Sequence, residues 1–491
     1  MNRSPKEKSL SSVISKYAKS SLFSKLSDLI YAYAKPKLLT PEGVGLWNLL
    51  SLIISLSGYS HLGSFLTIRY VVPRLEQEKK TEEIIVIKNT VYTGTLFITL
   101  LISISLIIYA FVGNNNSINQ LGFVTVAGLV LLYWYYSFLI EILKSHQKFK
   151  YITSSNYLMS GIRLVVGIYL TYKLGIYGVF ISTILVIFSA IFYIRCKYKD
   201  NINISFDKTV FINLIRNGFP IMLYGIIIFI LISVDRVLIS YFLDLKQVGY
   251  YSIAILVTGI MLKIPSSARE VIEPLMSQHA GLYQAEKTIS EYYFKPLYNT
   301  AYYCSFFFIG AFFLLPVVLP LILSDYLKGT AAAQILSFGI NFIALSFTSR
   351  GLIVLNNWQL KATKIGLIAI TLNIALNCYF LIKGYGIEGV AVGSSLSYFS
   401  LFFMLYIFLA VKFKEISISF FKHFLYIIAP LLFSIIISLL IDGFSQRYFY
   451  YYNHYFLKVA GFVLAMFFSY SLIYIASKRN KLIYFYSFGI K

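Results

Sequence analysis

Asp235 and Arg236 stand side by side inside the apolar run 217–242, where an ionised side chain is costly and needs a reason to be there. Few residues share that situation: the bases Arg69, Lys88, Arg163, Arg236, Lys263, Arg350 and Lys458, and the acids Asp28, Glu141 and Asp235. A charge near the centre of a bilayer helix costs about 2.5–3.5 kcal/mol, so such groups usually face a cavity, a partner or a substrate path. Neighbours on a helix point about 100° apart, so Asp235 and Arg236 cannot simply satisfy each other. Pairing with other helices is one reading of the two; ion coupling or a gate is the other. Arg163 falls near the middle of its apolar run, and Lys263 and Arg350 in the inner halves of theirs. Lys88 and Lys458 sit near helix ends, where long side chains are expected to snorkel. Other chemistries find no motif. Cys196, Cys304 and Cys378 are far apart with no CxxC, His61, His146, His279, His423 and His454 are scattered, and no GxxxxGK[ST] occurs.

The elements carrying these charges belong in a bilayer. Hydrophobic residues make up 58% of the 491 and charged ones 13%, too few to cover a globular surface. Apolar runs of about 20 residues lie near 44–72, 84–112, 121–143, 151–172, 175–194, 217–242, 248–268, 297–322, 331–355, 365–382, 386–411, 421–441 and 457–476. The net charge of +23 would suggest nucleic acid in a soluble protein, but here it follows the connections. Alternate connections hold 23 and 5 basic residues, in about 103 and 48 residues of chain, which places the Lys-rich set and the C-terminus in the cytoplasm. Parity then asks for one more span at 11–34, despite Lys16, Lys19, Lys25 and Asp28. A helix whose polar face lines a water-filled cavity could carry them; a surface amphipathic helix is the alternative. The first reading gives about 14 spans in an all-α integral membrane protein, with N- and C-termini both cytoplasmic. The N-terminus lacks a signal peptide's apolar core and is expected to be retained.

Two short correspondences point to duplication. EGVGL at 42–46 matches KQVGY at 246–250, and GIYGV at 175–179 matches GIEGV at 386–390, at offsets of 204 and 211. Both superpose helices six apart, and an even number preserves topology. The expectation is two parallel six-helix lobes, 1–200 and 201–415, with 416–491 carrying two C-terminal helices and a cytoplasmic tail. The glycines of these motifs suit sharp turns and close helix approach.

The stretch NGFPIMLYGIIIFILISVDRVLISYFLDLKQVGYY at 217–251, with its Gly-x-Pro opening, membrane Asp-Arg pair and Val-Gly-Tyr-Tyr, resembles the seventh helix of the Wzx-type polysaccharide and oligosaccharide flippases. These belong to the multidrug/oligosaccharidyl-lipid/polysaccharide (MOP) exporter superfamily. LLTPEGVGLW at 38–47 and LGIYGVFIST at 174–183 resemble that family's first loop and sixth-helix start. The first helix is unusually polar for the family.

The resemblance implies a V-shaped fold like that of the superfamily's MATE transporters, in a bacterial inner membrane. It implies no enzyme activity, and alternating access that moves an undecaprenyl-diphosphate-linked oligosaccharide outward. Sugar hydroxyls cost about 4–8 kcal/mol each in hydrocarbon, so the headgroup needs a hydrated path. Arg163, Lys263 and Arg350, with Lys25 and Arg69, would form a cationic cavity, since guanidinium groups grip phosphate bidentately. Arg69 fits an inside loop equally well. Asp235, Arg236, Asp28 and Glu141 are candidates for coupling or a gate, Asp235 or Glu141 taking the proton. No cofactor is implied beyond H⁺ or Na⁺. Membrane lipids, a polysaccharide polymerase and glycosyltransferases are the expected partners, and nucleic acid is not. An ion-coupled drug exporter, or a non-transporting component of polysaccharide assembly, is the alternative. Stacking of Tyr303, Tyr133, Trp134, Tyr135 or Tyr136 on sugar competes with the plainer preference of aromatics for bilayer interfaces.

Overall fold

Apolar runs long enough to cross a bilayer have no way to satisfy their backbone except as helices, and helices are what the chain forms. The computed structural model describes residues 20, 23–24, 26–113, 117–279, 293–413, 418–448 and 458–467. Among them, eleven helices are long and apolar enough to span a membrane. In chain order the elements are α1 (residues 26–38), α2 (Pro41–Ser57), α3 (Ser64–Gln77), α4 (Thr81–Val112), α5 (Ser117–Ser145), α6 (Phe149–Ile162), α7 (Ile168–Leu174) and α8 (Ile176–Lys197). They continue with α9 (Lys208–Phe242), α10 (Leu245–His279), α11 (Lys295–Ile322), α12 (Thr330–Leu355), α13 (Gln359–Ile382), α14 (Gly386–Phe413), α15 (Ile418–Tyr448) and α16 (Lys458–Phe467).

Two expected spans are interrupted, which is part of why the count differs from 14. The run 44–72 is not one helix: a 3₁₀ turn at Gly58–His61 ends α2, and Leu62 and Gly63 take positive φ before α3 begins. The His61 ring Nδ1 accepts the Gly63 N–H at 2.9 Å. Irregular backbone at this depth must be buried in protein, and Gly63 meets Gly218 of α9 backbone to backbone. A Cβ on Gly218 would lie 2.1 Å from the Gly63 carbonyl oxygen, so neither position has room for a side chain. The run 151–172 is helical throughout, but a π turn at Arg163–Gly167 separates α6 from α7. Of the predicted first span, residues 11–19 lie outside the described residues, and of 457–476 only 458–467 are described.

The chain divides into two compact units, Met1–Ile226 and Ile227–Lys491, the boundary falling inside α9. Each contains the same local devices. The turns at 145–148 and 355–358 have the same hydrogen bonds, with Lys148 N–H donating to the Leu143 carbonyl and Trp358 N–H to the Ile353 carbonyl. Each turn carries a residue at φ 55°, Gln147 and Asn357, 210 positions apart. Gly175 and Gly386, the first glycines of the two GIxGV motifs, have φ of 58° and 59°. The motif's second glycine serves packing: a Cβ on Gly178 would lie 2.0 Å from the Leu170 carbonyl oxygen.

Candidate functional site

In the first unit the polar groups of α1 turn toward the π turn. A cavity of about 230 Å³ is lined by Asp28, Tyr31, Lys35, Trp47, Tyr133, Arg163, Ser182, Thr183 and Val186. The Tyr31 hydroxyl lies 3.1 Å from Thr171 Oγ1 and 3.3 Å from Ser182 Oγ, which ties α1 to α7 and α8. Ser27 adds a hydrogen bond to the Ser160 carbonyl. The π turn places Gly167 against the Tyr31 ring, where a Cβ would come within 3.3 Å. Arg163, at the head of that turn, forms an ion pair with Asp28. Lys35 Nζ sits 5.3 Å from the Tyr31 ring centroid and 5.5 Å from that of Trp47, within cation–π range of both. The cavity's size and polar lining leave room for several water molecules.

The same unit neutralises its second interior base. Arg69 of α3 grips Glu141 of α5 bidentately, Nε to Oε2 at 3.0 Å and Nη2 to Oε1 at 2.8 Å. Lys144, one turn along α5, donates to Oε1 at 2.8 Å. Lys88 and Lys458 do not snorkel. Each is buried to 6% exposure and paired, Lys88 with Asp200 at 2.7 Å and Lys458 with Asp442. The expectation failed because it weighed depth alone, while the acids that hold these lysines are distant in sequence.

In the second unit Asp235 is treated differently. Its carboxylate, 1% exposed, accepts hydrogen bonds from Tyr251 Oη at 2.8 Å, Ser394 Oγ at 2.8 Å and Asn377 Nδ2 at 3.1 Å. Asn373 donates to Ser394 Oγ at 3.1 Å, and its Oδ1 accepts from Asn377 Nδ2 at 3.1 Å. The donors come from α10, α13 and α14, and all are neutral. Arg236 Nη2 donates to Ser233 Oγ at 3.2 Å, and its buried Nε has no hydrogen-bond partner among the described residues. Such a shell of carboxylate, amide and hydroxyl oxygens has the chemistry that hard cations prefer.

The predicted residues therefore fall into separate places. Arg163 and Asp28 share the cavity, and Arg69 and Glu141 form a pair of their own. Lys263 and Arg350, partly buried on α10 and α12, are engaged by neighbouring groups and do not line the first unit's cavity. Lys25 lies outside the described residues. Trp134 is core: its indole N–H donates to Thr95 Oγ1 at 2.9 Å and its ring packs on Tyr92 and Phe138. Sequence reasoning missed Lys35, Tyr31 and Trp47, and in the second unit Tyr251, Asn373, Asn377 and Ser394. Asn373 and Asn377, one turn apart in an otherwise apolar helix, were the available signal. No group of three or more potential metal-ligating His, Cys, Asp or Glu residues exists among the described residues.

This helical architecture has the fold of solved membrane transporter structures. The solved structure of the lipid II flippase MurJ in an inward closed conformation matches with a TM-score of 0.68 at 18% identity, covering 94% of this chain and 99% of that one. An inward-facing multidrug resistance MATE family transporter of the MOP superfamily matches at 0.65 and 14%, covering 80% of this chain and 96% of that one. A MATE protein in a bent conformation matches at 0.55 and 13%, over 86% and 96%. Residues 20–279 match the family profile "Polysaccharide biosynthesis protein", and the chain belongs to that family. Among curated protein sequences none matches.

Proposed function

We propose that this protein exports an undecaprenyl-diphosphate-linked oligosaccharide from the inner to the outer leaflet by alternating access. The observation that carries the reading is the polysaccharide-family match over residues 20–279, a stretch that includes the hydrated chamber with Lys35 and the Asp28–Arg163 pair. Two negative charges leaving an inside-negative cell gain roughly 4–5 kcal/mol at 100 mV. The potential then favours export, and an ion returning inward resets the empty carrier. Asp235 is the better candidate than Glu141 for that ion, because only neutral donors hold it while Glu141 already binds two cations. Its neighbours supply Asn373 Oδ1, Asn377 Oδ1 and Ser394 Oγ as further oxygen ligands for Na⁺. The fuller architecture belongs to the same proposal: fourteen spans in two six-helix lobes plus a C-terminal pair, both termini cytoplasmic, in a bacterial inner membrane beside a polymerase and glycosyltransferases.

A second reading, ion-coupled export of a small molecule, is favoured by two observations. Several of the matching structures are MATE transporters, and interior cations that would repel a cationic drug are partly neutralised by Asp28 and Glu141. Replacing Arg163, Lys263 and Arg350 singly by Ala, and by Lys or Arg, separates the two. Loss of surface polysaccharide at normal protein level, with drug sensitivity unchanged, is expected for the flippase. Normal polysaccharide with altered drug accumulation selects the exporter.

A further inference from the structure

Trp358, Lys361 and Lys412 form a cluster in the second unit that neither reading uses. Trp358 precedes α13 as its N-cap and gives that helix no side-chain cap. Its ring packs on Phe408 and Phe413 at the end of α14, with centroids 5.6 and 5.7 Å away. Lys412, in the last turn of α14, places Nζ 5.8 Å from the Trp358 ring centroid. Lys361, in the first turn of α13, is exposed, donates its backbone N–H to the Trp358 carbonyl at 3.0 Å, and lies near enough to Lys412 for the two ammoniums to repel. Lys364 follows one turn later, also exposed. No carboxylate occurs in 356–364 or in 405–413.

Three positive features thus converge, with no counter-charge paired to them among the described residues. The first turn of a helix carries its own partial positive charge, so a lysine there is unfavourable on its own, and a second ammonium beside it adds repulsion. An anion at this point would relieve both and would meet the backbone N–H groups that a helix N-terminus leaves without intrahelical acceptors. The tryptophan fixes the level, since its amphipathic ring belongs where hydrocarbon meets headgroups. The positive-inside count assigns this connection to the Lys-rich face, opposite the anionic leaflet.

We propose that Lys361 and Lys412, beside Trp358 at the start of α13, bind a phosphate group, supplied by the headgroup of an anionic membrane lipid. The test uses the full-length protein in detergent, titrated with short-chain phosphatidylglycerol, phosphatidylcholine or inorganic phosphate while the thermal midpoint is followed. The wild type is expected to gain stability with phosphatidylglycerol and not with phosphatidylcholine. K361Q/K412Q should require a markedly higher concentration for the same gain, about fivefold for each lysine lost. K361R/K412R should behave as wild type, and K79Q, elsewhere on the Lys-rich face, should not weaken the response. Without added anion K361Q/K412Q should be at least as stable as wild type, because the ammonium repulsion is gone. An equal response to inorganic phosphate keeps the site but makes its source soluble. Identical titrations for wild type and K361Q/K412Q overturn the proposal.

Discussion

The three acids expected at bilayer depth, Asp28, Glu141 and Asp235, are held differently in the two units. In the first, each acid at depth is matched by a base: Asp28 with Arg163, and Glu141 with Arg69 and Lys144. In the second, Asp235 is enclosed by Tyr251, Asn377 and Ser394, all neutral, while the adjacent Arg236 bonds to Ser233. A charge matched by a partner is held in place, because separating a buried pair exposes two uncompensated charges. A carboxylate whose hydrogen bonds all come from neutral donors can lose its charge, or share it with an entering cation, without breaking an ion pair. The first arrangement suits a scaffold around a hydrated chamber; the second suits a group that changes state during a cycle.

The sharpest way to break this comparison is Asp235→Asn. The amide keeps the shape but cannot take up a proton, and it removes the negative charge that would anchor a cation. Export is expected to fall about tenfold or more, a barrier change of at least about 1.4 kcal/mol, at unaltered protein level. Unchanged export measured as surface polysaccharide, or as transport in vesicles, would make Asp235 a structural polar group like any other. Collapsing ion gradients in vesicles while holding the potential should slow the wild type and leave the residual activity of Asp235→Asn unaffected.

A smaller effect is expected from backbone packing in the first unit. Gly218→Ala directs a Cβ at the Gly63 carbonyl oxygen, 2.1 Å away, where the α2–α3 break is pressed against α9. Overpacking of this kind costs about 1–3 kcal/mol, read as a lowered thermal midpoint. The Glu141→Gln change should cost less, about 1–2 kcal/mol, because the Arg69 side chain it leaves behind is 40% exposed and partly solvated. Arg69→Gln, which leaves Glu141 with Lys144 still bound, should be milder again.

How much of this was legible in the sequence depends on whether an interaction is local. The glycines of the GIxGV motifs announced turns, and the structure puts Gly175 and Gly386 at positive φ. Gly58 and Gly63 inside the run 44–72 signalled a break too, but hydropathy sums over such a break and hides it. Asn373 and Asn377 lay in plain view one turn apart, yet a search for charges passes over neutral amides. The pairs were not legible. Arg69 and Glu141 are 72 residues apart and Lys88 and Asp200 are 112, so nothing local records who meets whom. Nor did any residue type signal the π turn at Arg163–Gly167, which sets Gly167 against the Tyr31 ring.

The pair of Asp28 and Arg163 offers the finest test, because here the comparison between units is closest to failing. The Asp28 side chain is 48% exposed and Arg163 19% exposed. Water in the chamber therefore screens the pair, and its coupling should be well under that of a dry ion pair, about 0.5–1 kcal/mol. A double-mutant cycle of Asp28→Asn and Arg163→Gln, read by thermal midpoint, measures it. If the pair is scaffold, Asp28→Asn and Arg163→Gln should each lower stability slightly, and export should follow protein level. If the pair opens to admit a phosphate, Asp28→Asn should raise export per molecule, because Arg163 is released, while Arg163→Gln lowers it. Opposite signs for two halves of one ion pair are something a purely structural contact cannot produce. That outcome would move the first unit from scaffold to machinery, with Asp28 as the internal competitor of the anion.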